Sequence, residues 1–288
     1  MIISETVKSH ISLISANEIN QICEPLLRLG ITTFIYIKNY KNGQVLHLSN
    51  RAGWLIHYYQ KEFYRIDPLM NKSSIFPPGF FLWNTLDGRD IYYDAEIYFG
   101  ITHGIVLARK NKAADEYYIF GGADNKTHFI NVCINNLDLL GRFIFYFQNT
   151  AYSILKSAEK EKIVFLSDLV ASNSKNNGMV VNIPVVKGPQ TYFNEAREAF
   201  IQSTKMSGFK AEEIGSGLLS GRELDIIFYF LQNKTALEIG KVINLSKKTV
   251  DWRLSRIRKR FKCASSQELK EELLAFDLGW GEISEIIG

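Results

Sequence analysis

The residues with the clearest chemical meaning are the cations near the C-terminal end of the sequence. Between Leu218 and Lys262 there are eleven Lys and Arg residues and four Asp and Glu residues, a net charge of +7. The whole chain of 288 residues carries only +4, so the rest of it carries −3. A basic segment in an otherwise slightly acidic chain indicates a polyanionic partner such as a nucleic acid.

The spacing of polar caps and apolar residues in this segment predicts a helix-turn-helix. Ser220 and Glu223 have the spacing of a capping box at the start of a first helix. Thr235 is placed to cap a short second helix. Residues 244–246 make a tight connection to a third helix that runs to Lys262. Two short helices joined by a three-residue turn are typical of this motif.

The third helix has one apolar side and one basic side. At about 100° per residue, the residues expected to face the core are Val250, Leu254, Ile257 and Phe261. The other surface suits a helix laid in the DNA major groove, and its candidate contacts are Lys247, Lys248, Thr249, Trp252, Arg253, Ser255, Arg256 and Lys259. Ser255 and Arg256 can reach base edges, while flanking cations, which include Arg258 and Arg260, pair with phosphates. The alternative is a basic face that is simply solvated.

Four strings in this segment resemble the DNA-binding domain of LuxR-type transcription regulators. They are Leu219-Ser220-x-Arg222-Glu223, Lys234-Thr235-x-x-Glu238-Ile239, Leu245-Ser246-x-x-Thr249-Val250 and Arg260-Phe261. The resemblance covers residues 218–280. Asn233, where the family usually has Gly, and Gly240, where it usually has Ala, depart from the pattern at positions that we interpret as structural.

The N-terminal half resembles the autoinducer-binding domain of quorum-sensing LuxR-type proteins. The residues that match in order, and nearly in spacing, are Trp54, Tyr58, Asp67, Pro68, Trp83 and Gly104. In that family the domain is a helix-covered antiparallel sheet that encloses an acyl-homoserine lactone. The resemblance implies that Trp54 donates to the lactone carbonyl and that Asp67 accepts from the ligand amide. It also implies that Tyr58 and Trp83 wall the pocket, with Pro68 and Gly104 in structural roles.

These roles agree with the chemistry of an amide-lactone, which carries one good donor and several acceptors. Each residue also has an ordinary interpretation taken singly, as a core aromatic residue, a turn residue or a site of close backbone approach. The match is incomplete, because Asn50 stands where the family often has Tyr, Trp83 needs a one-residue shift, and no proline follows Gly104. The sequence therefore leaves open a lactone, a different small molecule or a protein partner as the controlling signal.

The hydrophobic pattern predicts five strands with interspersed helices, a mixed α/β sandwich, and the two resemblances then imply an α+β fold in three parts. These are a PAS-like, helix-covered antiparallel ligand domain of residues 1–165, a linker of residues 166–217 and an all-α helix-turn-helix domain of residues 218–288. Five strands are predicted, the first two as a hairpin about Asn42-Gly43, at residues 31–40, 44–49, 104–110, 116–122 and 127–134. Helices are predicted at residues 1–30, 53–64, 92–99, 136–160 and 193–201.

Other classes of protein are disfavoured. Three cysteines without a CxxC pair (Cys23, Cys133 and Cys263) argue against a disulfide framework and a zinc site, and no apolar run approaches the roughly 20 residues that span a bilayer. We therefore expect a cytoplasmic protein. His128, Cys133 and Asp138 are spaced in fives but have no evident oxyanion site, and no cofactor or metal motif is present, so we expect no enzyme. RNA binding is a second alternative, but only Trp252 offers a stacking surface.

The sequence thus predicts a ligand-responsive transcription regulator with no cofactor that binds a two-fold symmetric DNA site as a homodimer. A fourth helix, predicted over residues 267–278, either contributes to the dimer contact or packs within its own domain. The alternative is a LuxR-type DNA-binding regulator that has no lactone ligand.

Overall fold

The computed structural model describes residues 10–70, 76, 78–86, 88–110, 113–123, 126–164, 190–206, 212–214 and 217–275. Within these ranges the chain forms two compact units. The first contains the described residues up to Asn136 and those from Thr150 to Phe200, and the second contains Leu137–Asn149 and the described residues from Ile201 onward. The second unit is therefore built from two stretches that are distant in sequence.

A six-stranded antiparallel sheet organises the first unit. Its strands are β1 Thr33–Tyr40, β2 Gln44–Ser49, β3 Gly79–Leu82, β4 His103–Lys110, β5 Ala114–Gly122 and β6 Ile163–Val164. They lie in the order β3, β4, β5, β1, β2, β6. The predicted hairpin of β1 and β2 is confirmed, and Gly43 in its turn has a φ of 84°, which glycine adopts without strain.

The two faces of this sheet carry different side chains because residues alternate along each strand. Paired aromatic residues cover one face, where the Phe34 and Phe120 rings lie 5.4 Å apart and the Tyr36 and Tyr118 rings lie 5.0 Å apart. The other face contributes Ile35, Ile37, Val106, Ala108, Tyr117 and Ile119 to the main apolar cluster of the unit. That second face is where the predicted ligand residues lie.

The helices that lie wholly in the first unit, among the described residues, are α1 Ile11–Ile14, α2 Ala16–Ile22, α3 Ala52–Gln60, α4 Arg89–Phe99, α5 Lys126–Asn135 and α7 Tyr152–Ala158. Helix α6, Leu137–Thr150, is assigned almost entirely to the second unit, and helix α8, Gln190–Ser203, belongs to the first unit up to Phe200. The single helix predicted over residues 1–30 is wrong for the described part from residue 10. There α1, α2 and a 3₁₀ helix, Glu24–Leu29, follow one another. Pro25 accounts for the end of α2, because it has no N–H and cannot continue a helix.

A second correction concerns residues 127–134, which are not a strand but belong to α5. Their buried residues, such as Phe129 and Cys133, recur four apart, which is the spacing of a helix face. Strand β3, which the sequence analysis did not identify, pairs with β4 instead. It has only four residues after the Pro-Pro-Gly break, too few to show an alternating pattern.

The helix predicted over residues 136–160 is two helices, α6 and α7, separated at Ala151. The linker predicted over residues 166–217 lies largely outside the described residues. Its predicted helix is confirmed as α8, which occupies Gln190–Ser203.

The second unit contains the predicted helix-turn-helix. Besides α6 and a short hairpin of β7 Glu212–Ile214 and β8 Gly217–Leu219, it comprises α9 Gly221–Leu231, α10 Ala236–Ile243, α11 Lys247–Arg260 and α12 Ser266–Ala275. Both capping boxes are present, Ser220 with Glu223 and Thr235 with Glu238. The predicted fourth helix is confirmed as α12 up to Ala275, and residues 276–278 lie outside the described part. The fold is thus α+β, with a helix-covered antiparallel sheet followed by a helical unit.

A buried ion pair joins α6 to α9 inside the second unit. Arg142, which is 1% exposed, donates from Nη2 to Asp225 Oδ1 at 2.7 Å. Its Nε donates to Thr204 Oγ1 at 3.0 Å, and its guanidinium lies 4.6 Å from the centre of the Phe228 ring. Because a buried cation is stable only when it is paired and hydrogen-bonded, this cluster fixes α6 against α9.

Replacing Arg142 with Met should leave Asp225 buried without its cation. We expect the free energy of unfolding of the Arg142→Met variant to fall by about 3–5 kcal/mol, measured by urea unfolding. The control is Arg65→Met, which removes the solvent-exposed pair of Arg65 with Glu62 at 2.9 Å and should lower the free energy of unfolding much less. Equal losses in the two variants would contradict the structural role of Arg142.

Candidate functional site

The four predicted ligand residues, Trp54, Tyr58, Asp67 and Trp83, line one cavity in the first unit. Trp54 and Tyr58 lie four residues apart on α3 and therefore share a face. Asp67 and Trp83 come from two short connections between regular elements. The rest of the wall is mainly apolar, with Ile35, Ile37, His47, Leu69, Leu86, Ile91, Tyr92 and Ile119.

The cavity is small, about 20 Å³, which is room for about one water molecule. Its walls are large aromatic and aliphatic side chains packed closely together. The Trp54 ring, for example, lies 5.3 Å from the Phe99 ring, in an edge-on arrangement. A larger occupant therefore requires lining side chains to move outward.

Asp67 is a buried carboxyl group held by two neutral donors. Its Oδ2 accepts from the Tyr58 hydroxyl at 2.8 Å, and its Oδ1 accepts from the Leu69 amide at 2.8 Å. The second bond caps the 3₁₀ helix Pro68–Met70. Asp67 is therefore a turn residue and also a part of the cavity wall. Each carboxylate oxygen can accept more than one hydrogen bond, which leaves Asp67 with acceptor capacity.

Burial raises the pKa of Asp67 to about 6, although the hydrogen bonds from the Leu69 amide and the Tyr58 hydroxyl act in the opposite direction. Among the described residues, no ion pair joins Asp67 to a cation. A desolvated carboxylate without a cation is costly in the folded state, and an N–H donor from a ligand would offset part of that cost.

Gly104 permits the close approach of Trp83. A Cβ at residue 104 would lie 2.9 Å from Cδ2 of the Trp83 indole, so a larger residue would push the ring away from β4. The Trp83 Nε1 is buried and has no hydrogen-bond partner in the described part of the chain. Pro68, the other predicted structural residue, is buried and begins the 3₁₀ helix that Asp67 caps.

His47 is a cavity residue that the sequence analysis did not identify. It pairs with Ile37 across β1 and β2, so it points to the same face of the sheet as the apolar cluster. Its Nδ1 lies 3.0 Å from the Tyr59 hydroxyl, and its Nε2 is buried without a partner among the described residues. The sequence carries little signal for it, because the alternating leucines of β2, Leu46 and Leu48, lie on the opposite face of the sheet.

In the second unit, the apolar side of α11 lies toward the core, as predicted, and part of its basic side is exposed. Val250, Ile257 and Phe261 are buried, while Leu254 is half-buried. The exposed members of the predicted contact set are Lys247, Lys248, Trp252, Arg256 and Lys259. Arg253 and Ser255 are half-buried at the edge of this surface. Thr249 is also half-buried, and its hydroxyl contacts that of the N-cap Ser246 at 2.8 Å.

Two arginines of α11 are positioned by neighbours within the unit. The Arg256 guanidinium lies over the Trp252 ring, 4.8 Å from its centre. Arg260, which the sequence analysis grouped with the phosphate-pairing cations, instead forms an ion pair with Glu223 of α9. Glu223 is also the capping-box residue of α9. Arg260 therefore holds α11 to α9.

The two departures from the family pattern have local explanations. Asn233 has a φ of 61°, a left-handed conformation that glycine prefers and asparagine tolerates. Its side chain accepts from Lys270 of α12 at 2.7 Å. Gly240 leaves room for the turn between α10 and α11, because a Cβ there would lie 2.4 Å from the Leu245 carbonyl oxygen.

The described residues show no group of side chains suited to a metal ion, and no described helix has the length and apolar character needed to cross a membrane. Cys133, the nucleophile of the enzyme alternative, is fully buried, and burial raises the pKa of its thiol. A neutral buried thiol is a poor nucleophile.

Residues 217–271 match the family model for bacterial regulatory proteins of the luxR family. This confirms the resemblance of the C-terminal segment, which is a helix-turn-helix domain of that family. A comparison with curated proteins gives no match.

Three solved structures are similar to the chain at low identity. SdiA in complex with octanoyl-rac-glycerol is 15% identical, with a TM-score of 0.33 over 97% of this chain and 98% of that one. Escherichia coli SdiA is 16% identical, with a TM-score of 0.31 over 91% of each chain. The N-acylhomoserine lactone dependent LuxR family transcription factor CepR2 from Burkholderia cenocepacia is 15% identical, with a TM-score of 0.36 over 48% of this chain and 84% of that one.

The pH dependence of stability should report the burial of Asp67. Because its folded pKa lies above the unfolded value near 3.9, the native state binds more protons between about pH 4 and 6, and wild-type stability falls as pH rises through that range. The Asp67→Asn variant has no such titration. We expect its free energy of unfolding, relative to wild type, to increase by up to about 3 kcal/mol from pH 4 to pH 7.

Urea unfolding at several pH values measures this difference. Asp251→Asn, at an exposed position of α11, is the control for the loss of one carboxylate. A relative stability of Asp67→Asn that stays constant with pH would show that the carboxyl group is not desolvated in solution.

Proposed function

We propose that the protein is a transcription regulator that binds double-stranded DNA through α11. The observation that carries this proposal is the division of α11 into a buried apolar side and an exposed side with Lys247, Lys248, Arg256 and Lys259, inside a segment that matches the luxR family. In a helix-turn-helix the second helix enters the major groove and the first crosses the backbone. We assign these roles to α11 and α10.

The contacts of α11 divide into two kinds. The exposed lysines give a salt-dependent attraction to phosphates that does not depend on sequence. Arg256 and Ser255, near the middle of the helix, supply hydrogen bonds to base edges, and Arg256 has the two-pronged geometry that matches guanine. We propose binding as a homodimer on a two-fold symmetric site, with α12 as a candidate dimer element.

Two alanine variants separate these kinds of contact. Arg256→Ala should cost about 1–3 kcal/mol on a specific site and relax the preference at one base position. Lys247→Ala should weaken all sequences equally and reduce the slope of log affinity against log salt by about one unit. Binding titrations on specific and random duplexes at several salt concentrations measure both quantities. Lys156→Ala, an exposed position of α7, is the matched control for loss of one positive charge.

The outcomes discriminate between the alternatives. Equal effects of Arg256→Ala and Lys247→Ala on specific and random DNA would contradict the assignment of Arg256 to base readout. Tighter binding of RNA than of duplex DNA at the same salt concentration would favour RNA binding instead.

We further propose that the first unit binds a small amide-containing signal, with an acyl-homoserine lactone as the first candidate. The supporting observation is Asp67, a buried carboxyl group with acceptor capacity and no cation partner among the described residues, in a wall shared with Trp54, Tyr58 and Trp83. The amide N–H of the ligand would donate to Asp67, and aromatic and aliphatic side chains would cover the remainder. Ligand binding would then couple to the stability of the unit.

Thermal unfolding with acyl-homoserine lactones of varied chain length tests this role. A ligand at about 100 times its dissociation constant should stabilise the wild type by roughly 2.7 kcal/mol, a shift of several degrees. The Asp67→Asn variant keeps an oxygen for the Leu69 amide but loses the charged acceptor, so it should show no shift from its own baseline. An equal shift of the unfolding temperature in the wild type and the Asp67→Asn variant would show that Asp67 does not contact the ligand.

A second candidate is a luxR-family regulator that responds to a different small molecule or to a protein partner. The observation that favours a different small molecule is His47, a polar group in the cavity wall. A thermal shift with other acyl amides and none with lactones would support this candidate.

A further inference from the structure

The cavity contains polar atoms that neither the fold nor the Asp67 hydrogen bonds use. His47 is 1% exposed and Trp83 is 4% exposed, and both line the cavity. His47 Nε2 and Trp83 Nε1 are buried without a hydrogen-bond partner among the described residues. A buried polar atom without a partner is costly, so such atoms in a binding cavity indicate partners on the occupant.

His47 is held in a fixed orientation by two neighbours. Its Nδ1 contacts the Tyr59 hydroxyl at 3.0 Å, and its ring packs edge-on against Tyr58 at 5.1 Å between ring centres. Burial also lowers the pKa of His47 to about 3, so the imidazole is neutral at physiological pH. A neutral imidazole has one N–H and one acceptor nitrogen, and because Nδ1 is engaged by Tyr59, Nε2 is the nitrogen available to a ligand.

Tyr58 stands between His47 and Asp67. Its ring contacts His47, while its hydroxyl donates to Asp67 at 2.8 Å. The two polar groups therefore occupy separate parts of the cavity wall. The amide N–H that donates to Asp67 cannot also bond to His47, so the imidazole needs a second polar group of the ligand.

We propose that His47 is a specificity-determining residue, and that the ligand carries an oxygen substituent, a hydroxyl or a carbonyl, beyond the amide that meets Asp67. This inference rests on the proposed ligand function of the first unit. The oxygen bonds to His47 Nε2. Trp83 Nε1, which can only donate, takes a second oxygen of the ligand.

The test compares pairs of ligands that differ only in this oxygen. The probes are N-acyl-homoserine lactones of one chain length with an unsubstituted, 3-oxo or 3-hydroxy chain, and N-acyl ethanolamides with the same chains. Dissociation constants are measured by calorimetry on the full-length protein. For wild type we expect the better oxygen-bearing chain to bind about tenfold more tightly than the plain chain, because leaving a buried polar group unpaired costs about that factor or more.

The variant His47→Phe keeps an aromatic ring and removes both nitrogens. We expect it to bind the oxygen-bearing and plain chains with equal affinity. His47→Gln, which keeps a hydrogen-bonding end, should retain part of the preference and serves as a second variant if the ring replacement does not fold. Asp67→Asn should abolish the binding of both chains alike, which separates the two polar contacts.

Each outcome is decisive. A wild-type preference for the oxygen-bearing chain that His47→Phe abolishes supports the inference. Binding with the same ratio in wild type and His47→Phe overturns it and leaves the proposed ligand function intact, as expected if a buried water serves His47 whatever the ligand carries. Failure of every probe to bind the wild type overturns the proposed ligand function and this inference together.

Discussion

The first unit is organised about one carboxyl group that is almost fully buried. Asp67 ends one connection, caps the 3₁₀ helix that follows it and accepts the Tyr58 hydroxyl from α3. Helix α3 and the 3₁₀ helix are thus both held by the Asp67 side chain. The aromatic residues that shield this side chain from bulk water form the wall of the cavity. The same burial makes the ionised carboxylate unfavourable in the folded state, so the unit is less stable than its packing would allow. A fold that retains such a group in a cavity is typical of a site in which stability is given up for recognition.

In the second unit, single charged side chains hold pairs of helices together. Glu223 both closes the capping box of α9 and pairs with Arg260 of α11, so one carboxylate starts one helix and positions the end of another. Arg142 of α6 pairs with Asp225 of α9 and so holds together two helices that are far apart in sequence. These polar contacts surround an apolar centre formed by Leu224, Ile227, Val250 and Ile257. The exposed cations of α11 follow from this arrangement, because the orientation of the helix is fixed from the buried side.

Local signals predicted the parts of the structure that depend on local chemistry. The capping box at Ser220, the cap at Thr235, the Asn42-Gly43 turn and the apolar side of α11 were predicted because each depends on residues within a few positions of one another. The errors occurred where a distant partner or a single residue decides the outcome. Residues 127–134 are β-branched and aromatic enough to resemble a strand, yet their buried side chains follow the spacing of a helix face. His47 was missed for a related reason, since an inward histidine on a strand becomes meaningful only when α3 and the 3₁₀ turn close the cavity over it. The small volume of that cavity could not be predicted at all, because it depends on side-chain packing.

The stacking of Arg256 on Trp252 has a consequence for the entropy of recognition. A free arginine side chain has about 2 kcal/mol of rotamer entropy to lose when a target immobilises it. On α11 the indole, which is 53% exposed, already restricts the guanidinium before any partner arrives. A contact made by Arg256 therefore loses less conformational freedom than one made by an isolated arginine. This gain does not involve the release of counterions, so it persists at ionic strengths that weaken the attraction of the neighbouring lysines.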